Sequence, residues 1–319
     1  MTFPLLPRAA SETAVEVDRL GWGLLCLSTL VMIIVFTPIV IFCFKYRRGK
    51  LADRTPAQLP TMKIETTWTL VTLVLMMGLF AWGANVYWSI ESPPPDAMEI
   101  NVIGKQWMWK LQHPEGNREI NELHVPVGRN VKLTLASQDV IHSFYLPEFR
   151  IKQDVVPGWY RAIWFKATKV GTYHLFCSEY CGTHHSQMGG HVFVMEPSDY
   201  ERWLAHGQPD GTLAQSGEKL FRELGCSGCH ENSTVVRAPP LQGLFGNPVP
   251  LQSGQIVTAN EGYIRDSILL PAKDIAAGYT NDMPSFQGRV SEEQLLELIA
   301  YIRSIGDQPA QTPVTFERK

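Results

Sequence analysis

The chain has 319 residues, 45% of them apolar and 18% charged, and a formal net charge of −3. This length allows two or three domains, and the apolar content supplies more than one hydrophobic core. From position 89 onward there are 20 basic and 26 acidic residues, a net charge of −6 that suits a basic soluble partner. No basic patch of the kind that binds nucleic acid is present, so nucleic acid is excluded as a partner.

Two long apolar runs near the N-terminus, Gly21 to Phe44 and Trp68 to Trp88, contain no charged residue. Each exceeds the roughly 20 residues that cross a hydrocarbon layer about 30 Å thick. The runs therefore predict two transmembrane helices in a hairpin within the lipid bilayer. Buried core helices are the alternative, and the length of the first run and the acidic residues before it disfavour a cleaved signal peptide.

The connector between these runs, residues 45–65, is rich in positive charge. It contains six basic and two acidic residues, Arg54 among the former. Short basic loops stay on the cytoplasmic side of a membrane. We therefore expect a two-helix protein of the cell inner (plasma) membrane, with both termini and everything after the second helix on the periplasmic, external side.

The segment after the second helix has the pattern of a β protein. Ser92-Pro-Pro-Pro-Asp96 ends the helix because consecutive prolines cannot donate backbone hydrogen bonds. Apolar or alternating segments of strand length follow, which predict a β sandwich or barrel. These segments are Glu99–Leu111, Val131–Ala136, Trp159–Lys166, Gly171–Cys177 and Gly190–Met195.

Helical patterning replaces the strands after a polar linker of Gly and Pro residues, 205–211. Helices are predicted over Gln215–Leu224 and Glu261–Leu270. Ser291 and Gln294 form a capping box that opens a last helix through about Arg303. The C-terminal part is therefore a small all-α domain.

The stretch from Cys177 to Met188 is the strongest chemical signal in the chain. It reads Cys-Ser-Glu-Tyr-Cys-Gly-Thr-His-His-Ser-Gln-Met, which places two thiols, two imidazoles and a thioether in twelve residues. Thiolate and thioether ligands select soft metals, and the thioether favours copper over structural zinc. We expect a ligand loop between two strands, completed by His142 at the end of a strand-like segment. A disulfide or a zinc site is the alternative for the two cysteines.

A second motif, Cys226-Ser-Gly-Cys229-His230, has the spacing of a c-type haem attachment site. The cysteines can form thioethers to haem while His230 supplies an axial bond. Ala238-Pro-Pro-Leu-Gln-Gly-Leu-Phe-Gly and Asn281-Asp-Met-Pro-Ser-Phe resemble two loops of small soluble cytochromes c. Met283, within the second loop, is the only methionine after His230 and is the expected second axial ligand.

The copper-type motif and the upstream Asp-Val-Ile-His-Ser-Phe together resemble subunit II of the haem–copper cytochrome c oxidases. The resemblance extends to about Trp203 and implies a cupredoxin-like domain with a dinuclear copper centre, CuA. Its implied ligands are six groups of the two motifs. They are the bridging thiolates of Cys177 and Cys181, the imidazoles of His142 and His185, the thioether of Met188 and the carbonyl of Glu179.

Three further roles follow from the same resemblance. Trp107 occupies the position where electrons enter, although Met108 stands where the family usually has Tyr. Glu65, at the start of the second helix, corresponds to the mouth of a proton channel. The Glu179 carboxylate corresponds to a ligand of a magnesium or manganese ion shared with subunit I. Without the resemblance, Trp107 is an ordinary core aromatic and Glu65 a carboxylate near a helix N-terminus.

We therefore expect a multidomain membrane protein similar to subunit II of a caa3-type oxidase. It comprises a transmembrane hairpin (1–91), a cupredoxin-like copper domain (92–204), a linker (205–213) and a cytochrome c domain with a C-terminal tail (214–319). Electrons from a soluble or membrane-bound cytochrome donor would pass through covalent haem c and CuA to haem a of subunit I. Oxygen reduction at haem a3–CuB and proton pumping would occur in that partner.

Three other functions share part of these features. A membrane-anchored copper chaperone would use the cysteines and a histidine for one transient copper, but it does not need a covalent haem. An electron-transfer subunit of another respiratory reductase, such as one for nitrogen oxides, would keep both sites. A quinol oxidase subunit II would keep the fold and lose the copper ligands, which are intact here.

Overall fold

A computed structural model describes residues 6–52, 60–206, 211–231 and 238–306. The chain begins with two long helices, α1 (Glu12–Lys45) and α2 (Thr61–Glu91). They contain the two apolar runs, and α2 ends directly before the proline-rich segment. Part of the basic connector, including Arg54, lies outside the described residues.

Both helices are long and apolar enough to cross a membrane, and their apolar side chains are largely uncovered. None of the most apolar stretch of α1 is buried, and only 6% of that of α2. This exposure argues against core helices of a soluble domain. The two helices contact each other where a Cβ on Gly23 would lie 2.8 Å from the Trp82 ring, so glycine permits the close approach.

The middle of the chain forms two five-stranded sheets, ordered β3-β2-β1-β5-β8 and β4-β10-β9-β6-β7. The strands are β1 (Met98–Lys105), β2 (Met108–Gln112), β3 (Arg118–Ile120), β4 (Glu122–Pro126), β5 (Asn130–Ser137), β6 (His142–Leu146), β7 (Ile151–Val155), β8 (Arg161–Lys166), β9 (Gly171–Cys177) and β10 (Gly189–Met195). Most neighbours are antiparallel, but β1 with β5 and β4 with β10 run parallel. The predicted cupredoxin-like β sandwich is confirmed.

The core of the sandwich lies between the sheets, and Trp109 and Phe144 are fully buried in it. Two expectations were wrong. The segment Glu99–Leu111 is not one strand, because a turn at Gln106–Trp107 divides it into β1 and β2. His142 begins β6 and does not end a strand.

The sandwich is fastened to both helices. Ser11 caps α1, and Arg150 forms an ion pair with Asp18 on that helix, with the Nε and Oδ1 atoms 2.9 Å apart. At the end of α2, the Trp164 indole donates to the Ser89 carbonyl at 3.0 Å. The sandwich is therefore joined to both helices of the hairpin.

The C-terminal part is mainly helical, as predicted. After α3 (Pro197–His206) come α4 (Leu213–Glu223), α5 (Ser227–His230), β11 (Pro248–Pro250), β12 (Ile256–Thr258), α6 (Glu261–Leu269) and α7 (Glu292–Gly306). The predicted capping box of α7 is present: Ser291 N donates to Gln294 Oε1, and Gln294 N donates to Ser291 Oγ. Residues 207–210 of the predicted linker and 307–319 of the tail lie outside the described residues.

Helices α4 and α7 cross closely and form the centre of this helical domain. A Cβ on Gly217 would lie 1.9 Å from the Glu297 carbonyl oxygen, so only glycine allows the crossing. Phe221, Ile264 and Leu298 contribute buried side chains around the crossing. This core leaves a cavity beside α5.

Candidate functional site

The predicted ligand loop connects two adjacent strands. Cys177 is the last residue of β9, and Gly189 is the first of β10. The Cys177 N–H donates to the Met188 carbonyl at 3.0 Å and closes the loop. The Gln106 side-chain amide donates to the Cys181 carbonyl at 2.8 Å. The loop is therefore held by hydrogen bonds from its own base and from the β1–β2 turn.

The loop gathers three side-chain donor groups around the Cys181 sulfur. Its sulfur lies 3.8 Å from Cys177 Sγ, 3.6 Å from Met188 Sδ and 3.5 Å from His185 Nδ1. The Cys177 sulfur lies 3.3 Å from the Glu179 carbonyl oxygen. Metal–thiolate bonds of about 2.3 Å, as in zinc sites, allow two sulfurs at this separation to share a metal. Both cysteines are buried and free, which excludes the disulfide alternative in this structure.

His142 joins the loop from β6, the neighbouring strand. Its ring is fully buried, and its donor nitrogen and the sulfurs of Cys177 and Cys181 all lie within 4.8 Å of one another. Its Nε2 is bonded to Asp139 Oδ1 at 2.8 Å. Its Nδ1 is buried without a hydrogen-bond partner. An orphaned ring nitrogen beside two thiols fits a metal ligand, and a carboxylate on the opposite nitrogen is the usual way to orient such a histidine.

The two thiols differ in acidity. Burial raises the pKa of Cys177, but the adjacent His142 imidazole and nearby backbone groups favour the thiolate by more and lower the pKa to about 6. For Cys181, burial and the negative charge of Cys177 both raise the pKa, to about 12. One thiolate therefore forms readily, whereas the second requires a bound cation to offset the repulsion. This donor set fits a copper pair of the kind the sequence predicts.

The other residues predicted at this site take different places. The Glu179 side chain is exposed, so only its carbonyl lies among the sulfurs. Trp107 is half-buried against the loop, and its ring meets the exposed His184 edge-on with centroids 4.6 Å apart. Glu65 is an exposed residue of α2 and is not part of the cluster. Sequence reasoning assigned no role to Asp139 or Gln106, although Asp139 stands three positions before His142 in the motif.

The haem motif lines the cavity beside α5. Cys226, Cys229, His230 and Met283 all face one space. Its walls are otherwise mainly apolar and include Phe221, Leu241, Ile264, Ile268, Phe286, Leu298 and Ile302. The His230 Nδ1 atom lies 3.0 Å from the Pro239 carbonyl, which fixes this nitrogen as the N–H donor and leaves Nε2 free for a metal. An apolar cavity with a histidine, a thioether and two thiols fits a haem.

Two family models match the chain, and they define its class. The periplasmic domain of cytochrome c oxidase subunit II matches residues 118–194, and cytochrome c matches residues 214–306. The first match agrees with copper at the ligand loop and the second with haem at the cavity. The chain therefore combines a domain of the oxidase subunit II type, hereafter the copper domain after its expected metal, with a cytochrome c domain, and it is an electron-transfer protein.

Curated relatives give the family. Cytochrome c oxidase subunit 2 of Thermostichus vulcanus is 31% identical over 65% of this chain and 80% of the relative. The subunit of the same name in Alkalihalophilus pseudofirmus is 30% identical over 86% of this chain and 83% of the relative. An alternative cytochrome c oxidase subunit 2 of Bradyrhizobium diazoefficiens is 31% identical over 54% of this chain and 72% of the relative.

The chain belongs to the cytochrome c oxidase subunit II family. It is therefore a subunit of a haem–copper terminal oxidase, an oxidoreductase, and its family implies association with subunit I. The predicted family is confirmed.

Proposed function

We propose that this chain is subunit II of a caa3-type cytochrome c oxidase. In this function it takes electrons from a cytochrome donor through covalent haem c and then a dinuclear CuA centre to haem a of subunit I. Oxygen reduction and proton pumping belong to the partner. The observation that supports this most strongly is the convergence of His142, Cys177 and Cys181, all buried, beside a separate haem-type cavity in the same chain.

The copper ligands in this proposal are those implied by the family. Two coppers would be held by the thiolates of Cys177 and Cys181, the imidazoles of His142 and His185, the Met188 thioether and the Glu179 carbonyl. A copper pair held by shared thiolates would take up and release one electron with little change in its ligand bonds. Asp139 and Gln106 hold the ligands in place before an electron arrives, which keeps reorganisation small.

A haem would be held by thioethers to Cys226 and Cys229, and His230 and Met283 would be its iron ligands. The His230–Pro239 hydrogen bond orients the imidazole toward the cavity. A methionine ligand raises the haem potential relative to bis-histidine ligation, while the apolar walls exclude water.

The remaining assignments are also proposals. Trp107 is the electron entry point of the copper domain, Glu65 lies at the mouth of a proton channel, and the Glu179 carboxylate binds magnesium or manganese at the boundary with subunit I. The domain limits are 1–91, 92–204, 205–213 and 214–319. The helices cross the inner membrane with both redox domains on the external side, which the basic connector supports.

Purification of the complex in mild detergent tests the proposal. We expect subunit I to accompany the chain, with two tightly bound coppers that give a mixed-valence electron paramagnetic resonance (EPR) signal and one haem that survives denaturation. The complex should consume oxygen when supplied with a reduced cytochrome. A single labile Cu(I) would instead indicate a copper chaperone. Reduction of nitrogen oxides without oxygen consumption would indicate another respiratory reductase.

A further inference from the structure

Helix α7 of the cytochrome c domain packs on the outer face of the copper domain. Leu296 is 3% exposed and lies in one apolar cluster with Ile103 of β1, Ala136 of β5 and the half-buried Tyr160. Side chains alternate across a strand, and those on this face of β1 point away from the core of the sandwich. The helix therefore covers apolar residues that the copper domain alone would expose.

Ion pairs surround this apolar contact and fix its register. Glu293 pairs with Lys110 of β2, and Glu297 pairs with Arg118 of β3. At the other end of α7, Arg303 pairs with Glu99 of β1.

The charge pattern is directional. The acidic side chains lie in the N-terminal half of α7 and face basic residues, whereas the basic side chain lies near its C-terminal end and faces an acid. If the direction of α7 were reversed, acids would face acids and bases would face bases. The charge pattern therefore favours the observed direction of the helix.

The opposite face of α7 lines the haem cavity through Leu298 and Ile302. On the copper side, Ile103 is followed in β1 by Gly104, which points into the sandwich. A Cβ on Gly104 would lie 2.9 Å from Cδ2 of His142. The cavity and a copper ligand are therefore separated by one helix and one strand, in unbroken contact.

We propose that docking through α7 is the arrangement in which the haem donates to the copper pair, with α7 and Ile103–Gly104 connecting the cavity to His142. This inference rests on the proposed function. In the step, the haem iron loses one electron and the copper pair gains one, and no bond forms or breaks. Because the charged groups lie at a partly exposed interface, docking weakens when salt screens them.

Charge reversal in the full-length chain within the purified complex tests this docking. The variant K110E/R118E places two acids opposite Glu293 and Glu297, and K110E/R118E/E293K/E297K restores both pairs with inverted polarity. The control K219E reverses a 79%-exposed side chain of α4. Copper and haem content verify that each variant is folded.

Two measurements apply to each variant: the haem–copper distance distribution from pulsed EPR, and the rate of haem-to-copper transfer after flash reduction. We expect a narrow distribution in the unaltered chain. K110E/R118E should broaden it and slow transfer by about fivefold or more, because a smaller fraction of the chains is docked. The fourfold variant should restore both, and K219E should alter neither.

A broad haem–copper distance distribution in the unaltered chain would refute this docking. So would a K110E/R118E variant that matches the unaltered chain in both measurements, or a K219E variant that has the same effect as K110E/R118E. A narrow distance without any oxidation of the haem by copper would have a different meaning. It would contradict the electron path in the proposed function while leaving the docked geometry intact.

Discussion

The two candidate redox sites are built by different means. At the copper loop, hydrogen bonds position nearly every donor: Asp139 holds His142, Gln106 holds the Cys181 carbonyl, and the loop is closed by its own backbone. At the haem cavity, one hydrogen bond orients His230, and the rest of the wall is mainly apolar. The copper domain therefore fixes its site in advance, whereas the haem would itself complete the core of its domain.

The largest expected effect is the loss of copper from one site while the haem of the other site is retained. Cys181→Ser removes the sulfur that contacts Cys177, His185 and Met188, so we expect loss of the mixed-valence EPR signal and a copper content below one per chain. Haem content and its spectrum should stay unchanged, because no residue of the cavity is altered. The matched control is Cys26→Ser, an exposed thiol of α1. Simultaneous loss of haem would show that the two sites are not independent.

The second effect concerns the haem as part of a core. In the variant Cys226→Ala/Cys229→Ala, haem is no longer attached covalently. The apolar residues that line the cavity, such as Ile264 and Leu298, then lose their packing contacts with the haem. We expect the thermal transition of the cytochrome c domain to fall by about 10 °C or more, as for about 2 kcal/mol in a domain of this size. Calorimetry should show the copper-domain transition unmoved. Equal stability of both forms would mean that the cavity does not need haem to pack.

A smaller effect tests the role of hydrogen bonds at the copper loop. Asp139→Asn removes the negative charge that orients His142, and loss of such a partner lowers metal affinity by about 10- to 100-fold. Competition with a copper chelator measures the change. Asp154→Asn is the control, since that carboxylate accepts hydrogen bonds from Ser143 and Lys152 and from none of the expected copper ligands. If both variants hold copper as tightly as the unaltered chain, the positioning role of Asp139 is refuted.

The smallest effect is a pH dependence of the stability of the copper domain. Burial raises the pKa of Glu119, but hydrogen bonds with His113 and His124 lower it by a larger amount. The net effect is a pKa below the usual 4.5. A lowered folded-state pKa stabilises the fold above the unfolded value, and this stabilisation is lost as pH falls through the folded pKa. We therefore expect the melting temperature to drop below about pH 4.5. Glu119→Gln should be less stable near neutral pH and should lose less stability on acidification. Parallel curves for the two proteins would contradict this.

The sequence predicted the features that depend on neighbouring residues. Uncharged apolar runs predicted α1 and α2, the capping box predicted the start of α7, and the spacing of Cys177 and Cys181 predicted a loop between strands. Short strands such as β3 were missed, because three residues carry too little alternation to be recognised. Their formation depends on pairing with β2 in the folded sheet.

The hydrogen bond that orients His142 and the face of α7 that contacts the copper domain could not be predicted from the sequence either. Asp139 is an ordinary polar residue until the fold turns it toward His142. Glu293 and Glu297 have the pattern of a solvated helix face, and only the tertiary structure places Lys110 and Arg118 opposite them. Long-range pairs of this kind leave no periodic trace in either segment.

The attachments between the hairpin and the sandwich hold the sandwich beside one end of each helix. Helix α1 has 34 residues and is about 51 Å long at about 1.5 Å per residue, which exceeds a hydrocarbon layer of about 30 Å by about 20 Å. Its outer end is tied to the sandwich through Asp18, and the end of α2 is tied through Ser89. Attachment to both helices restricts rotation of the sandwich relative to the hairpin, so a membrane that held the helices would also restrict the distance between the copper loop and its surface.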